Sequence, residues 1–120
     1  MSVQEHNLSA DIGAEFVLQL EHQDASSVTY DYSSGFIMRF VIMTAFGGTD
    51  IFDETSPNAD FVLSDGAGGT ANISVNIGKT LTEAWTAGRG RYELQIWPSA
   101  ATEDVKIIIK GVMTICQGLL

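Results

Sequence analysis

The sequence predicts an all-β fold: an antiparallel β-sandwich of about seven strands with one short helix near residues 79–87. Three observations carry this. Apolar and polar side chains alternate with period two in the segments 14–21, 35–43, 70–77, 91–96 and 105–115, the pattern of a sheet with one buried face. Glycine-rich turns, "AFGGTD" at 45–50 and "SDGAGGT" at 64–70, join these segments. The period breaks at 78–90, in a glycine-bounded stretch with helical spacing. With 120 residues, the expectation is one domain over 1–120, its first residues, 1–11, forming an extended N-terminal arm.

Taken in order, Phe16, Leu18 and Leu20 share a face opposite Glu15, Gln19 and Glu21. Residues 24–35 then read as a polar loop carrying Val28, Tyr30 and Tyr32, partly extended. In the next strand Phe36, Met38, Phe40 and Ile42 point one way and Ile37, Arg39, Val41 and Met43 the other. Both sets are largely apolar, so coverage on both faces is expected. Short strands at 50–52 and 60–63 flank "DETSPNAD", whose Pro57 excludes a central strand. In 70–77, Ala71, Ile73, Val75 and Ile77 form a dry face and Thr70, Asn72, Ser74 and Asn76 a wet one.

In "GKTLTEAWTAGRG" Leu81 and Trp85 stand four apart, on one side of a helix. Thr80 and Glu83 have the spacing of a capping box, and Gly88 that of a C-terminal stop. Residues 91–97 and 105–115 then form a closing hairpin. Val105, Ile107, Ile109, Met113 and Ile115 take the core face, and truncation of Ile107 should be costly. Ile108 and Val112 sit among lysines on the other face, exposed or covered by a neighbour.

Fifteen acidic residues against six basic ones give a net charge of -9. That argues against nucleic acid, which demands a basic surface. No apolar run approaches the roughly 20 residues that span a bilayer, and 1–13 lacks a secretion signal's pattern. No membrane partner is therefore expected, and the chain is expected to be made in a cytoplasm. Cys116, the single cysteine, is expected as a small buried or half-buried apolar residue.

Motifs of chemistry are scarce. His6 and His22 lack metal-site spacing and read as exposed polar residues. No nucleophile elbow or phosphate loop occurs. The acids Asp50, Asp53, Glu54 and Asp60, and Glu103 with Asp104, read as solvated loop charge, although such loops can supply some of a calcium ion's oxygens. Tyr30, Tyr32, Trp85 and Trp97 are the aromatic side chains available to a sugar. The expectation is no catalytic residue, no metal and no cofactor, and hence no enzyme.

The order of elements carries a resemblance. "NLSADIGAEFVLQL", "SSGFIMRFVIM", "DGAGGTANISVNIGKTLTEAW" and "GRYELQIWPSAATEDVKIIIKGVMTI" together resemble the N-terminal domain of phage baseplate upper proteins and related virion proteins. The resemblance covers 7–115. It implies a structural subunit of a bacteriophage particle, located in the virion. It would be a tail or baseplate adaptor or a fibre-attachment subunit, with a head decoration (cement) protein as the nearest variant. Its partners would be other virion proteins and copies of itself, as a homo-oligomer. The arm and the loop 24–35 would then make the contacts, through Val3, His6, Leu8, Val28, Tyr30 and Tyr32, with Ile108 and Val112 added from the last strand. Because the sequence stops at Leu120 where that family continues into a coiled coil or receptor-binding region, the resemblance implies an adaptor or decoration subunit rather than a fibre or receptor binder. The reading from another class is a monomeric glycan-binding β-sandwich module.

Overall fold

The computed structural model describes residues 4–44 and 48–117. Two sheets pack face to face. The larger is six-stranded. It orders β1 (Gln4–Glu5), β9 (Lys106–Cys116), β8 (Gly88–Pro98), β4 (Phe36–Thr44) and β5 (Asp50–Thr55), with β2 (Leu8–Asp11) also on β9. The smaller is three-stranded: β3 (Phe16–Leu20), β7 (Ile73–Ile77) and β6 (Phe61–Leu63). The seven strands expected from the alternation are all present, and the arm supplies the other two. This order, with the last two strands beside the second and third long ones and three strands opposite, is that of an immunoglobulin-type sandwich. The inter-sheet disulfide common in that architecture is not formed: Cys116 is free and exposed. It follows the inward-facing Ile115 and so points out, which corrects its expected burial.

The inner faces make one core. Met38, Phe40 and Ile42 of β4, Tyr92 and Leu94 of β8, and Ile73, Val75 and Ile77 of β7 are almost wholly buried. Phe16 stacks on Phe40 at 6.0 Å, and Trp85 meets Phe16 at 6.1 Å and Phe52 at 5.7 Å. Offset and edge-on pairs of this kind add to area burial. Val41, on the outer face of β4, is also buried. It lies in register with Asp53 and Glu93, beside the forked Arg39–Asp53 pair, whose Nε and Nη2 donate to Oδ1 and Oδ2 at 2.8 and 2.6 Å. The double coverage expected of β4 therefore holds at Val41.

The helix is shorter than expected. α1 spans Lys79–Thr82, one turn, and begins at Gly78 without a side-chain cap. Thr80 does not cap it. Leu81 is exposed and Thr82 buried, because Thr82 ties the turn to the β2–β3 connection. Its hydroxyl donates to the Ala14 carbonyl at 2.8 Å and accepts from the Gly13 amide at 3.2 Å. Gly88, expected to stop the helix, instead opens β8 with φ +135°.

The closing hairpin is present, with one extra residue. Leu94 pairs with Ile109 and Gln95 with Ile107, so Ile108 has no partner on β8. The bulge turns Ile108 inward beside Ile109, both buried, and leaves Ile107 half-exposed. The costly truncation expected at Ile107 therefore moves to Ile108.

Residues 4–11 are not a free arm. Gln4 pairs with Ile109 and Leu8 with Met113, both parallel to β9, and the Ile12 amide donates to the Cys116 carbonyl at 2.9 Å. Ala10 enters the core. Between β1 and β2 the chain crosses Gly111, where an added Cβ would collide with the His6 carbonyl oxygen. The Tyr92 hydroxyl donates to that same carbonyl at 2.6 Å.

Candidate functional site

β3 ends, β4 begins, and β8 passes to β9 at the same end of the sandwich. The loop after β3 folds back on itself there. Gln23 bridges Thr29, and Asp24 holds the tip: its Oδ1 accepts from the Ser26 and Val28 amides at 2.8 and 3.0 Å. Ser27 takes φ +64° to close the turn, a conformation rare for a residue with a Cβ.

Asn72 fastens this loop to the body. Its Nδ2 donates to the carbonyls of His22 (3.0 Å) and Tyr30 (2.9 Å), and its Oδ1 accepts from the His22 amide at 2.8 Å. The residue is 1% exposed. An amide buried this way must have its hydrogen bonds satisfied, and here all three functions are. The expectation of Asn72 on a wet face is thereby corrected: the loop, fifty positions away in sequence, covers it.

Three aromatic rings gather above. His22 and Tyr30 lie 4.8 Å apart between centroids, Tyr30 and Tyr32 5.7 Å, and His22 and Tyr32 6.0 Å, near-parallel in the last case. His22 Nδ1 and the Tyr32 hydroxyl are 2.7 Å apart. Burial, then Lys106, pushes the His22 pKa below 6.5, and burial pushes the Tyr32 hydroxyl up to about 12. Both groups are thus uncharged at neutral pH. His22 is half-buried and bonded, not the free polar residue expected.

A cleft of about 660 Å³ opens between the loop and the start of β9. Glu21, Gln23, Asp24 and Ser26 supply polar groups, while Tyr30 supplies apolar surface above the nearly buried Ile108. Glu21 Oε1 accepts from Gln23 Nε2 and the Thr29 hydroxyl at 2.6 and 3.2 Å. Among the described residues no hydrogen bond engages Glu21 Oε2 or Asp24 Oδ2, so each carboxylate offers an acceptor to the cleft.

The expected interface residues are scattered. Val3 lies outside the described residues. His6 is exposed on the β1–β2 crossing, and Leu8 packs against the core. Val28 projects from the loop tip, 59% exposed. Tyr30 lines the cleft, but Tyr32 is buried beneath it. Ile108 is buried at the bulge, and Val112 lies on the outer face of the larger sheet, 36% exposed. Tyr32 and Ile108 are thus covered by the chain itself and are not free surface. Asp53 and Glu54 point to opposite faces, Asp53 to Arg39 and Glu54 to Asn58 and Asp60. Among the described residues no three metal-ligating side chains converge. Trp85 is a core residue and so is not available to a sugar, and Trp97 is half-buried in register with Ile37. Among the described residues no helix is long and apolar enough to cross a membrane.

Sequence reasoning missed Asn72 as the clamp and Glu21 as part of the cleft. Nothing local to "TANIS" marks its asparagine as buried.

No family model matches the chain, and no curated protein matches it. Solved structures do. The extracellular domain of the voltage-gated sodium channel β4 subunit, solved as parallel homodimers that explain its role in cell–cell adhesion, matches with TM-score 0.50 and 11% identity, over 99% of this chain and 97% of that one. A structure from work on multimeric cell-adhesive interactions of sodium-channel β subunits gives 0.47 and 11%, over 98% and 96%. A chain from the complex of ICOS, ICOS-L and an anti-ICOS-L VNAR domain gives 0.47 and 10%, over 97% and 56%. The β4 domain thus shares the sandwich fold seen here. The fold shared with the β4 domain is that of a cell-adhesion protein, not of a baseplate protein, and this finding overturns the expected role as tail adaptor, fibre-attachment subunit or head decoration protein, together with the virion partners that role entailed.

Proposed function

We propose that the chain is a non-enzymatic recognition module whose loop-end cleft takes a small, polyhydroxylated ligand of the carbohydrate class. The observation that carries this reading is the half-exposed Tyr30, braced from behind by His22 and Tyr32, beside two carboxylates with open acceptor oxygens. A sugar presents a C–H face to an aromatic ring and hydroxyl donors to carboxylate and amide acceptors, and the cleft supplies both in one concavity. A braced ring loses little freedom on binding, which favours affinity. The cleft lies at the end of the sandwich where variable immunoglobulin domains carry their recognition loops, which adds an analogy of fold only.

Titration of the isotope-labelled intact chain with neutral mono- and disaccharides, read by backbone amide shifts, tests the reading. Shifts confined to 21–30 and 106–109, saturating in the millimolar range and lost in a folded Tyr30→Ala variant, are expected. Absent shifts, or shifts scattered away from the cleft, overturn it. Self-association belongs to the second reading, favoured by the apolar corner of the outer face where Trp97 faces Ile37 next to Ile107. A dimer that strengthens with protein concentration is its expected signature.

A further inference from the structure

The six basic side chains of this acidic chain are unevenly placed. Arg39, Arg89, Arg91 and Lys110 all lie on the outer face of the larger sheet, because Phe40, Gly90, Tyr92 and Ile109 beside them turn inward. Arg39 is neutralised by Asp53. The other three are not: among the described residues no carboxylate lies within salt-bridge distance of Arg89, Arg91 or Lys110. They line a second groove of about 440 Å³ together with Glu5, Asn7 and Val112, with Gly90 and Gly111 exposing backbone. Register brings them together. Arg91 is opposite Val112 and Arg89 opposite Thr114, so Lys110 stands diagonal to Arg91, within reach for long side chains.

Glu5 and Glu93 stand in register on either side of Lys110 without pairing with it, so the groove keeps a surplus of positive charge, concentrated at Arg89 and Arg91, on a molecule of net charge -9. An extended polyanion would meet the acidic remainder of the surface. A short segment bearing a few carboxylates would not. Arginine favours carboxylate through forked hydrogen bonds, and Val112 adds apolar surface at the groove. We propose that this groove binds an acidic polypeptide segment of a partner protein, its carboxylates on Arg89, Arg91 and Lys110. The surface is separate from the sugar cleft and independent of it.

The test is fluorescence anisotropy with a labelled glutamate-rich octapeptide and the intact chain at low salt. Binding is expected, weakening as salt rises. Arg91→Glu should weaken it by at least about tenfold, whereas Lys79→Glu, the same charge change on α1, should leave it within about twofold. Both variants should keep the wild-type thermal midpoint. Equal losses in the two variants would mean only overall charge is sensed, and would overturn the site. So would no binding at low salt, or tighter binding of a sulfated oligosaccharide than of the peptide. If Arg91→Glu unfolds the chain, Lys110→Gln carries the test, with a smaller loss of the same sign expected.

Discussion

Two stretches of this chain lie at the margins of the sheets, and each is fastened by a buried polar side chain, but the fastenings differ in kind. The 21–32 loop hangs on Asn72, whose amide satisfies three backbone groups at once in a dry site. The 4–12 edge hangs on a parallel ladder to β9, with Tyr92 giving one hydrogen bond to the His6 carbonyl. The loop has almost no ladder: beyond its internal Gln23–Thr29 bridge, the Tyr32 amide donates to the Ser64 carbonyl at 3.0 Å and ties down its end, so the position of 21–30 rests on the clamp. The edge has a ladder, so its clamp is an addition and its vulnerable point is steric, where the backbone crosses Gly111. A segment without a ladder concentrates its dependence in one side chain, whereas a laddered segment spreads it.

The largest effect should follow from removing the loop's clamp. Asn72→Ala strands the His22 amide and leaves the Tyr30 carbonyl short of a donor, and opens a small void. Each buried group left unpaired costs about 1–3 kcal/mol, so a loss on the order of 3 kcal/mol is expected in denaturant unfolding. Amide exchange in 21–30 should accelerate while exchange at β1 and β2 stays unchanged. A loss under about 1 kcal/mol would show that the loop is held by its aromatic rings instead.

The edge should answer to a smaller change. In Gly111→Ala the new methyl collides with the His6 backbone carbonyl, which cannot rotate away as a flexible side chain would. Either β1 shifts or β9 does, at a cost of about 1–3 kcal/mol. Exchange of the His6 amide, bonded to the Lys110 carbonyl at 2.9 Å, should speed up, with the Tyr32 amide unaffected. The reverse pattern would mean that the two fastenings are coupled through β9.

Sequence made the sheets legible because period-two alternation is a local signal, and Phe16–Leu20, Phe36–Thr44 and Ile73–Ile77 carry it cleanly. The arm carried it too: Leu8, Ala10 and Ile12 alternate with Asn7, Ser9 and Asp11. Its pairing was hidden because its partner strand lies about a hundred residues on. The bulge was hidden in the run Ile107, Ile108, Ile109, where three identical apolar residues leave the phase unmarked. Asn72 was misread because an amide between apolar neighbours looks the same whether water or a distant loop covers it. The aromatic candidates Tyr30 and Tyr32 were visible, but the acceptors that join them in one cleft become neighbours only when the loop folds.

The smallest expected effect is a matter of pH, and it separates the two fastenings chemically. His22 belongs to the loop, and its folded pKa lies below 6.5 because burial, then Lys106, disfavours the imidazolium. Between that lowered value and 6.5 the unfolded chain binds more protons than the folded one, so acid favours unfolding. The contribution of neutral His22 is complete above about 6.5. It declines as pH falls through this window, and flattens once the folded state is protonated too. The Tyr92 hydroxyl, held up to about 12 by burial, undergoes no such change, so mild acid should loosen the loop and spare the Tyr92 bond. Unfolding free energies measured from pH 7 to 5 should fall more steeply in the native chain than in His22→Gln, with exchange quickening in 21–30 first. Equal slopes would remove His22 from the balance and leave the hold on 21–30 to Asn72 and the packed rings.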